Sequence, residues 1–131
     1  VYMDWLNSVP INLLTKDLDG LWVRQRAISG NLANWETPGY KSREVSFEEE
    51  LQKNLSSQSS QKRSELLQAI DDTQPQVTVS QALSQRMDGN NVDVVEQNAE
   101  IARTQFNYMY SMRALSDYFS RLRYVITDGR G

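Results

Sequence analysis

The sequence predicts a mainly α-helical fold: an antiparallel, coiled-coil-like pair of long N- and C-terminal helices, with a short helix and a flexible, partly extended middle segment. Three observations carry this expectation. Near the N-terminus, Ile11, Leu14, Leu18, Leu21, Ile28, Leu32 and Trp35 fall on one seam at alternating spacings of three and four, with Gln25 the one polar residue in it. Toward the C-terminus, Val94, Ile101, Tyr108, Leu115 and Leu122 recur every seven residues, and Met112, Phe119 and Ile126 follow on a companion line. The middle shows neither pattern and is rich in Ser and Gln. A long apolar stripe on a helix has to be buried, and the simplest partner for one stripe is the other.

The first helix is expected from about Pro10 to Asn34. Asn7 or Ser8 would cap it, and Pro10 suits a first turn because its missing N–H would have no partner there. Gly20 and Gly30 inside it each cost about 1 kcal/mol relative to Ala, so either they are tolerated or a neighbouring backbone approaches closely. Thr37-Pro38-Gly39-Tyr40 ends the helix in a type II turn, since Pro fixes the second position and Gly supplies the positive φ of the third. Ser46-Phe47-Glu48-Glu49 reads as a capping box opening a short helix to about Leu55. Ser56 to Ser64 is polar and low in complexity. Ser64 to Ile70 has room for two helical turns, Asp71-Asp72 reads as loop, and Gln76-Val77-Thr78-Val79 has strand alternation, with Pro75 confining it to an edge. Asp88-Gly89-Asn90-Asn91 is a turn by composition. Asp93 then caps a last helix that should continue to about Thr127, stopped by Asp128-Gly129. The organisation is therefore residues 1–40 as first helix and turn, 41–91 as variable middle and 92–131 as last helix, in one structural unit.

Composition narrows the function classes. The chain has 131 residues, a net charge of -3 and an apolar fraction of 39%, which is low for a globular domain and implies a thin core. Residues 1–45 and 92–131 are each charge-balanced, and the acidic excess lies in 46–91. No basic field invites nucleic acid or anionic lipid. No apolar run approaches the ~20 residues of a membrane span, and no secretory signal peptide is visible. There is no Cys and no His, which removes thiols, disulfides and the commonest zinc ligand and general base. Glu48, Glu49 and Glu50 are consecutive and splay around a helix, and Asp88-Gly89-Asn90 lacks the later ligands of a calcium loop. Neither a phosphate loop nor a dinucleotide fingerprint is present. No catalytic, cofactor or metal residue is expected, and an enzyme is disfavoured. Off the main seams lie Leu13, Trp22, Val23, Val95, Phe106, Met109, Tyr110, Tyr118 and Tyr124. One helix pair cannot cover them all, and neighbouring subunits are expected to do so in preference to the polar middle.

Asn31-Leu32-Ala33-Asn34-Trp35-Glu36-Thr37-Pro38-Gly39-Tyr40-Lys41 closely resembles the N-terminal signature of bacterial flagellar rod and hook proteins, an Asn-x-Ala-Asn followed by Thr-Pro-Gly-Tyr. A second stretch, Asp88-Gly89-Asn90-Asn91-Val92-Asp93 through Glu96, is similar to the Asp-Gly-Asn-x-Val-Asp element before the last helix of the smallest rod proteins. With the short length, this resembles the FlgB type of the proximal rod, with the FlgC type as the alternative and a non-polymerising helical secretion adaptor or chaperone as the rival class. The resemblance covers both ends and more than half of the chain, but not residues 53–87. It implies a subunit of the basal-body rod in the periplasmic space, exported by the flagellar type III system without a cleaved signal peptide. It also implies copies stacked helically and neighbours of the FlgC, FlgF and FlgG types and the FliE adaptor.

Overall fold

The computed structural model describes residues 8–57 and 62–129. Its elements in chain order are α1 (Val9–Ala33), β1 (Arg43–Ser46), α2 (Glu48–Ser56), α3 (Arg63–Asp72), β2 (Gln76–Val79) and α4 (Val94–Asp128). The chain is mainly helical, dominated by the 25 residues of α1 and the 35 of α4. Both long helices begin at side-chain caps. Ser8 Oγ accepts from Ile11 N, and Asp93 accepts from the backbone N–H of Val95 and Glu96, so donors left without an intrahelical partner are satisfied. Asn7, the other candidate cap, lies outside the described residues. The turn after α1 has Tyr40 N donating to Thr37 O at 3.2 Å, with Gly39 at φ 73°. That is the type II geometry the Pro-Gly pair requires.

The middle departs from expectation in three respects. Ser46 is the last residue of β1 rather than a helix cap; Phe47 occupies the N-cap position of α2, and no side chain caps that helix. The reason is packing. Phe47 is 1% exposed, and a Cβ built at Gly20 would lie 2.5 Å from its ring. Burying an aromatic ring on a bare helix backbone outweighs a local cap of about 1 kcal/mol. Gly20 is thus neither merely tolerated nor approached by a neighbouring backbone: it admits a side chain, the Phe47 ring. Asp71 and Asp72 end α3 rather than forming a loop, with Gln68 Nε2 donating to Asp72 Oδ1 at 2.8 Å. Finally, β2 pairs antiparallel with β1, Arg43 opposite Val79 and Ser46 opposite Gln76. Residues 58–61, part of the polar stretch, lie outside the described residues.

The middle also folds back on α1, where Leu13 faces Leu51 and Leu55 of α2, whereas Trp22, Val95, Phe106, Met109, Tyr110 and Tyr124 remain exposed. Ala69 and Ile70 of α3 are buried together with Phe47 and Leu21. Lys16 Nζ donates to Asp71 O, and Asn54 on α2 donates to the Thr73 hydroxyl just after α3 at 2.9 Å. Arg24 on α1 grips Glu48 at the start of α2 through both guanidinium nitrogens and also donates to Val45 O at 3.2 Å. The small core is therefore built on α1, with α4 along one side and the middle segment on another.

The α1–α4 seam differs in composition from the apolar one expected. Asn31 donates to Gln97 at 2.9 Å, and Ser111 donates to Asp17 at 2.5 Å. The helices are thus antiparallel, and the residues of α4 buried against α1 are Gln97, Thr104 and Ser111, again seven apart. Val94, Ile101, Leu115 and Leu122 are half-buried at the flank of this line, while Tyr108 is 43% exposed. The companion residues Met112, Phe119 and Ile126 are exposed at 45%, 39% and 48%. On α1, Ile11, Leu21 and Ile28 are buried and Leu14, Leu18 and Leu32 half-buried. Trp35 leaves the seam: it lies beyond the end of α1 and is 44% exposed, its ring beneath the Arg86 guanidinium.

Candidate functional site: motif clasp and open helix faces

Two side-chain amides bind the two sequence motifs to each other. Asn31, on the last turn of α1, is fully buried. Its Nδ2 donates to Arg43 O at 2.8 Å and to Gln97 Oε1 at 2.9 Å, while its Oδ1 accepts from Arg43 N at 2.8 Å. One amide therefore joins the end of α1, the start of β1 and the first turns of α4. The Tyr40 hydroxyl approaches the same oxygen at 3.5 Å, a long contact. Asn90 is equally buried. Its Nδ2 donates to Asn34 O and Thr37 O, both at 2.8 Å, and its Oδ1 accepts from Val92 N at 2.8 Å. A two-donor, one-acceptor set of this kind suits an amide and no carboxylate.

Backbone pairing completes the clasp. Gly39 N donates to Asp88 O at 2.8 Å, and Asn91 N donates to Tyr40 O at 3.2 Å. Gly39 and Gly89 are the described residues with positive φ, at 73° and 78°, and a Cβ on Gly89 would lie 3.8 Å from Gly39 Cα. Two glycine turns are thus stacked face to face, an approach that side chains on both would crowd. Lys41 Nζ donates to Gly89 O. Arg86 donates to Trp35 O, stands 5.7 Å over the Trp35 ring and pairs with Asp88 at 3.2 Å. Asn34 receives the Thr37 hydroxyl at 3.1 Å and donates to Gly30 O.

Of the motif residues, then, Asn31, Asn34, Thr37, Gly39, Tyr40, Asp88, Gly89 and Asn90 make specific polar bonds within this knot, Asp93 caps α4, and Val92 is buried beside the knot. Ala33, Pro38 and Glu96 point outward. The sequence reading missed Gln97, Arg43 and Arg86 and gave Asn91 no role beyond its place in the turn. Asn91 accepts from Ser42 N at 2.7 Å and donates to Ala82 O at 3.1 Å. The recurrence of Gln97, Thr104 and Ser111 every seven residues was visible, but polar residues carry no apolar signal.

The second feature is a set of uncovered apolar faces. Met112, Leu115, Phe119, Leu122 and Ile126 line one continuous shallow groove on the C-terminal half of α4, with Arg123 at its border. Carrying the antiparallel register of Asp17–Ser111 and Asn31–Gln97 to Val9 reaches Phe119, so α4 continues to Asp128 past the described start of α1. A second apolar groove, lined by Leu21, Trp22, Tyr108 and Met109, runs between α1 and α4. Phe106, Tyr110 and Tyr124 are exposed at 73%, 78% and 69%. Large apolar side chains exposed along a helix in this number mark a surface that meets other protein. Among the described residues there is no cluster of acidic side chains able to hold a metal ion, and no helix is long and apolar enough to cross a membrane.

Two long helices tied together at one end by a polar knot, with large apolar side chains exposed along α4, define an elongated helical building block. No family model matches the chain. Among curated proteins it is 32% identical over 127 residues to the flagellar basal body rod protein FlgB of Bacillus subtilis, covering 95% of this chain and 98% of that one. It is 29% identical to the FlgB of Escherichia coli K12 over 81% of this chain and 84% of the relative, and 29% identical to that of Borreliella burgdorferi over 83% and 89%. The chain belongs to the FlgB family of flagellar basal body rod proteins.

Proposed function

We propose that this protein is a structural subunit of the proximal rod, without catalytic function. In this reading it stacks helically with further copies and with rod proteins of the FlgC, FlgF and FlgG types. Together with the FliE adaptor it links the export gate and MS ring to the distal rod across the periplasmic space. It reaches that position through the flagellar type III system. The motif clasp is the device that holds the two axial helices side by side, and the apolar faces of α4 are the subunit contacts. The 1–40, 41–91 and 92–131 segments act as inner helix and turn, outer cover and inner helix of one unit.

The observation that carries this reading is the polar α1–α4 seam beside an exposed apolar line. Met112, Phe119 and Ile126 of the longest helix stay exposed while Val94, Ile101, Leu115 and Leu122 are only half-buried. Ordering such a helix costs roughly 1–2 kcal/mol per backbone residue, and burial returns about 25 cal/mol per Å² of apolar surface. The isolated chain leaves part of that return unrealised, and neighbours in an assembly supply it. Contacts that do not close into a ring give an open helical tube.

Deleting the gene and complementing it with a tagged chain tests the proposal. The expected result is loss of motility on deletion, recovery on complementation, and the tagged chain in purified basal bodies at the base of the rod. A motile deletion strain, or a chain absent from basal bodies of complemented cells, would overturn it.

A further inference from the structure

We infer that β2 is an open sheet edge that pairs with the β2 of a second copy, antiparallel and about a two-fold axis at Thr78. The contact lies in the middle segment, not on the two long helices, and stands independently of the rod reading.

The pairing of β1 with β2 fixes which backbone groups are free. Ser80 N donates to Ser42 O at 2.8 Å, and the register sets Arg43 opposite Val79, Glu44 opposite Thr78, Val45 opposite Val77 and Ser46 opposite Gln76. Bonded and non-bonded pairs alternate along an antiparallel ladder. Glu44–Thr78 and Ser46–Gln76 are therefore bonded pairs like Ser42–Ser80, and the N–H and C=O groups of Arg43, Val45, Val77 and Val79 point away from the partner strand. On the β1 side, α1 closes this edge. The Asn31 amide donates to Arg43 O and accepts from Arg43 N, both at 2.8 Å, and Arg24 donates to Val45 O at 3.2 Å. On the β2 side, among the described residues, Val79 O receives a long contact of 3.4 Å from the nearby Gln81 side chain and Val77 receives none. Every residue of β2 is exposed, Val77 at 50% and Val79 at 51%. The sheet is thus left to grow through β2.

Three features identify the second copy as the occupant. From Thr73 to Gln85 the chain carries no charge, so two such edges meet without repulsion, and the charged side chains that ordinarily protect an edge strand are absent. The edge is also self-complementary: Val77-Thr78-Val79 reads the same in both directions. With Thr78 opposite Thr78, Val77 of one copy faces Val79 of the other, and each outward N–H and C=O of these valines meets its complement. Val lies beside Val and Thr beside Thr, pairs that favour a sheet. Pro75 has no N–H to extend the ladder and limits it to this stretch. Finally, a two-stranded sheet is marginal alone, and joining two of them gives one continuous, wider sheet. So short a ladder falls well below a standard interface of about 1,600 Å², which makes the pair weak and reversible. Being two-fold, it closes at two copies and is distinct from the open stacking proposed above.

Because the chain has no cysteine, introduced thiols report this register. Thr78 would sit on the axis in a non-bonded pair, where facing Cα atoms are about 4.5 Å apart, a separation that a disulfide spans. Gln76, exposed on the same strand, would instead face Ser80 of the second copy, far from its own equivalent. Thr78→Cys and Gln76→Cys chains, purified full length with the parent's helicity by circular dichroism, are oxidised mildly at rising concentration. The expected product is a disulfide dimer of Thr78→Cys, several-fold above that of Gln76→Cys and growing with concentration. Adding Val77→Lys and Val79→Lys to the Thr78→Cys chain should cut it several-fold, since ammonium groups then stand opposite one another. As a second reading, Val77→Cys and Val79→Cys chains mixed together should give the mixed disulfide in preference to either homodimer. A Thr78→Cys product no greater than that of Gln76→Cys, a yield that the lysines leave unchanged, or a mixture with no preference for the mixed disulfide would each overturn the inference. All three are read on the purified chain, so failure here leaves the rod reading to its own test.

Discussion

Replacing Asn90 with aspartate alters almost nothing in volume and everything in hydrogen bonding. The native amide sends its two N–H groups to Asn34 O and Thr37 O, each 2.8 Å away, from a fully buried position. An ionised carboxylate in the same place faces two carbonyl oxygens with no proton between them. Two hydrogen bonds are lost, the two carbonyls keep only their backbone partners Thr37 N and Tyr40 N, and an unpaired charge is buried facing them. With about 0.5–1.5 kcal/mol for each lost bond and more for the buried charge, the loss is about 3–5 kcal/mol at pH 7, a large part of the ~5–15 kcal/mol that holds a typical domain. The sign of the pH dependence follows. The folded state disfavours the charged form, so the carboxyl introduced at position 90 has its folded pKa raised above the unfolded value of ~4. The penalty is then small below the unfolded pKa, where a protonated carboxyl can still donate once. It grows as pH rises toward the raised folded pKa and levels off beyond it. The measurement is urea unfolding followed by circular dichroism for parent and Asn90→Asp variant between pH 3.5 and 7. A difference at pH 7 under about 0.5 kcal/mol, or one that does not vary across that range, would refute the reasoning.

Other consequences can be measured alongside. Gly20→Ala should destabilise by about 1–2 kcal/mol although Ala is the better helix former, because its Cβ would sit 2.5 Å from the Phe47 ring. Thermal unfolding checks this, and a Gly20→Ala chain at least as stable as the parent counts against that packing. Gly39→Val should weaken the clasp by about 1–3 kcal/mol, since φ 73° is strained for a β-branched residue. Normal motility and unchanged unfolding would contradict the role of the turn. The hydrogen-bonded Arg24 guanidinium holds the Glu48 carboxyl below its ordinary range, partly opposed by burial. A lowered folded pKa gives stability that is present above the unfolded value near ~4.3 and lost as pH falls through the folded one. Glu48→Gln should therefore differ from the parent by no more than about 1 kcal/mol at pH 7, the pair being half-exposed, and by less below pH ~4. A difference independent of pH would be evidence against this pairing.

The sequence was legible wherever the signal was local. The long helices, the Ser8 and Asp93 caps, the Thr37–Tyr40 turn and the β2 segment each follow from a few neighbouring residues, because capping and positive φ are decided within one turn of chain. Local reading failed where a distant group took over. Ser46 looks like a cap, yet it ends a strand because Phe47 is pulled onto Gly20, far back along the chain. Asp71 and Asp72 look like loop, yet α3 continues through them while its Ala69 and Ile70 are held in the core.

The sequence alone determined that two apolar-striped helices flank a polar middle, and that two glycine turns stand beside their joined ends. Only the tertiary structure decided which face of α4 meets α1. Apolar periodicity says that a stripe will be buried, but not against what. The seam formed instead on Gln97, Thr104 and Ser111, where buried Asn31 and half-buried Asp17 supply partners for the first and last of them. A hydrogen-bonded polar pair fixes orientation through directed bonds, whereas an apolar face accepts any apolar surface. The helix therefore turned its polar line inward, kept Val94, Ile101, Leu115 and Leu122 half-buried beside it and left Met112, Phe119 and Ile126 open.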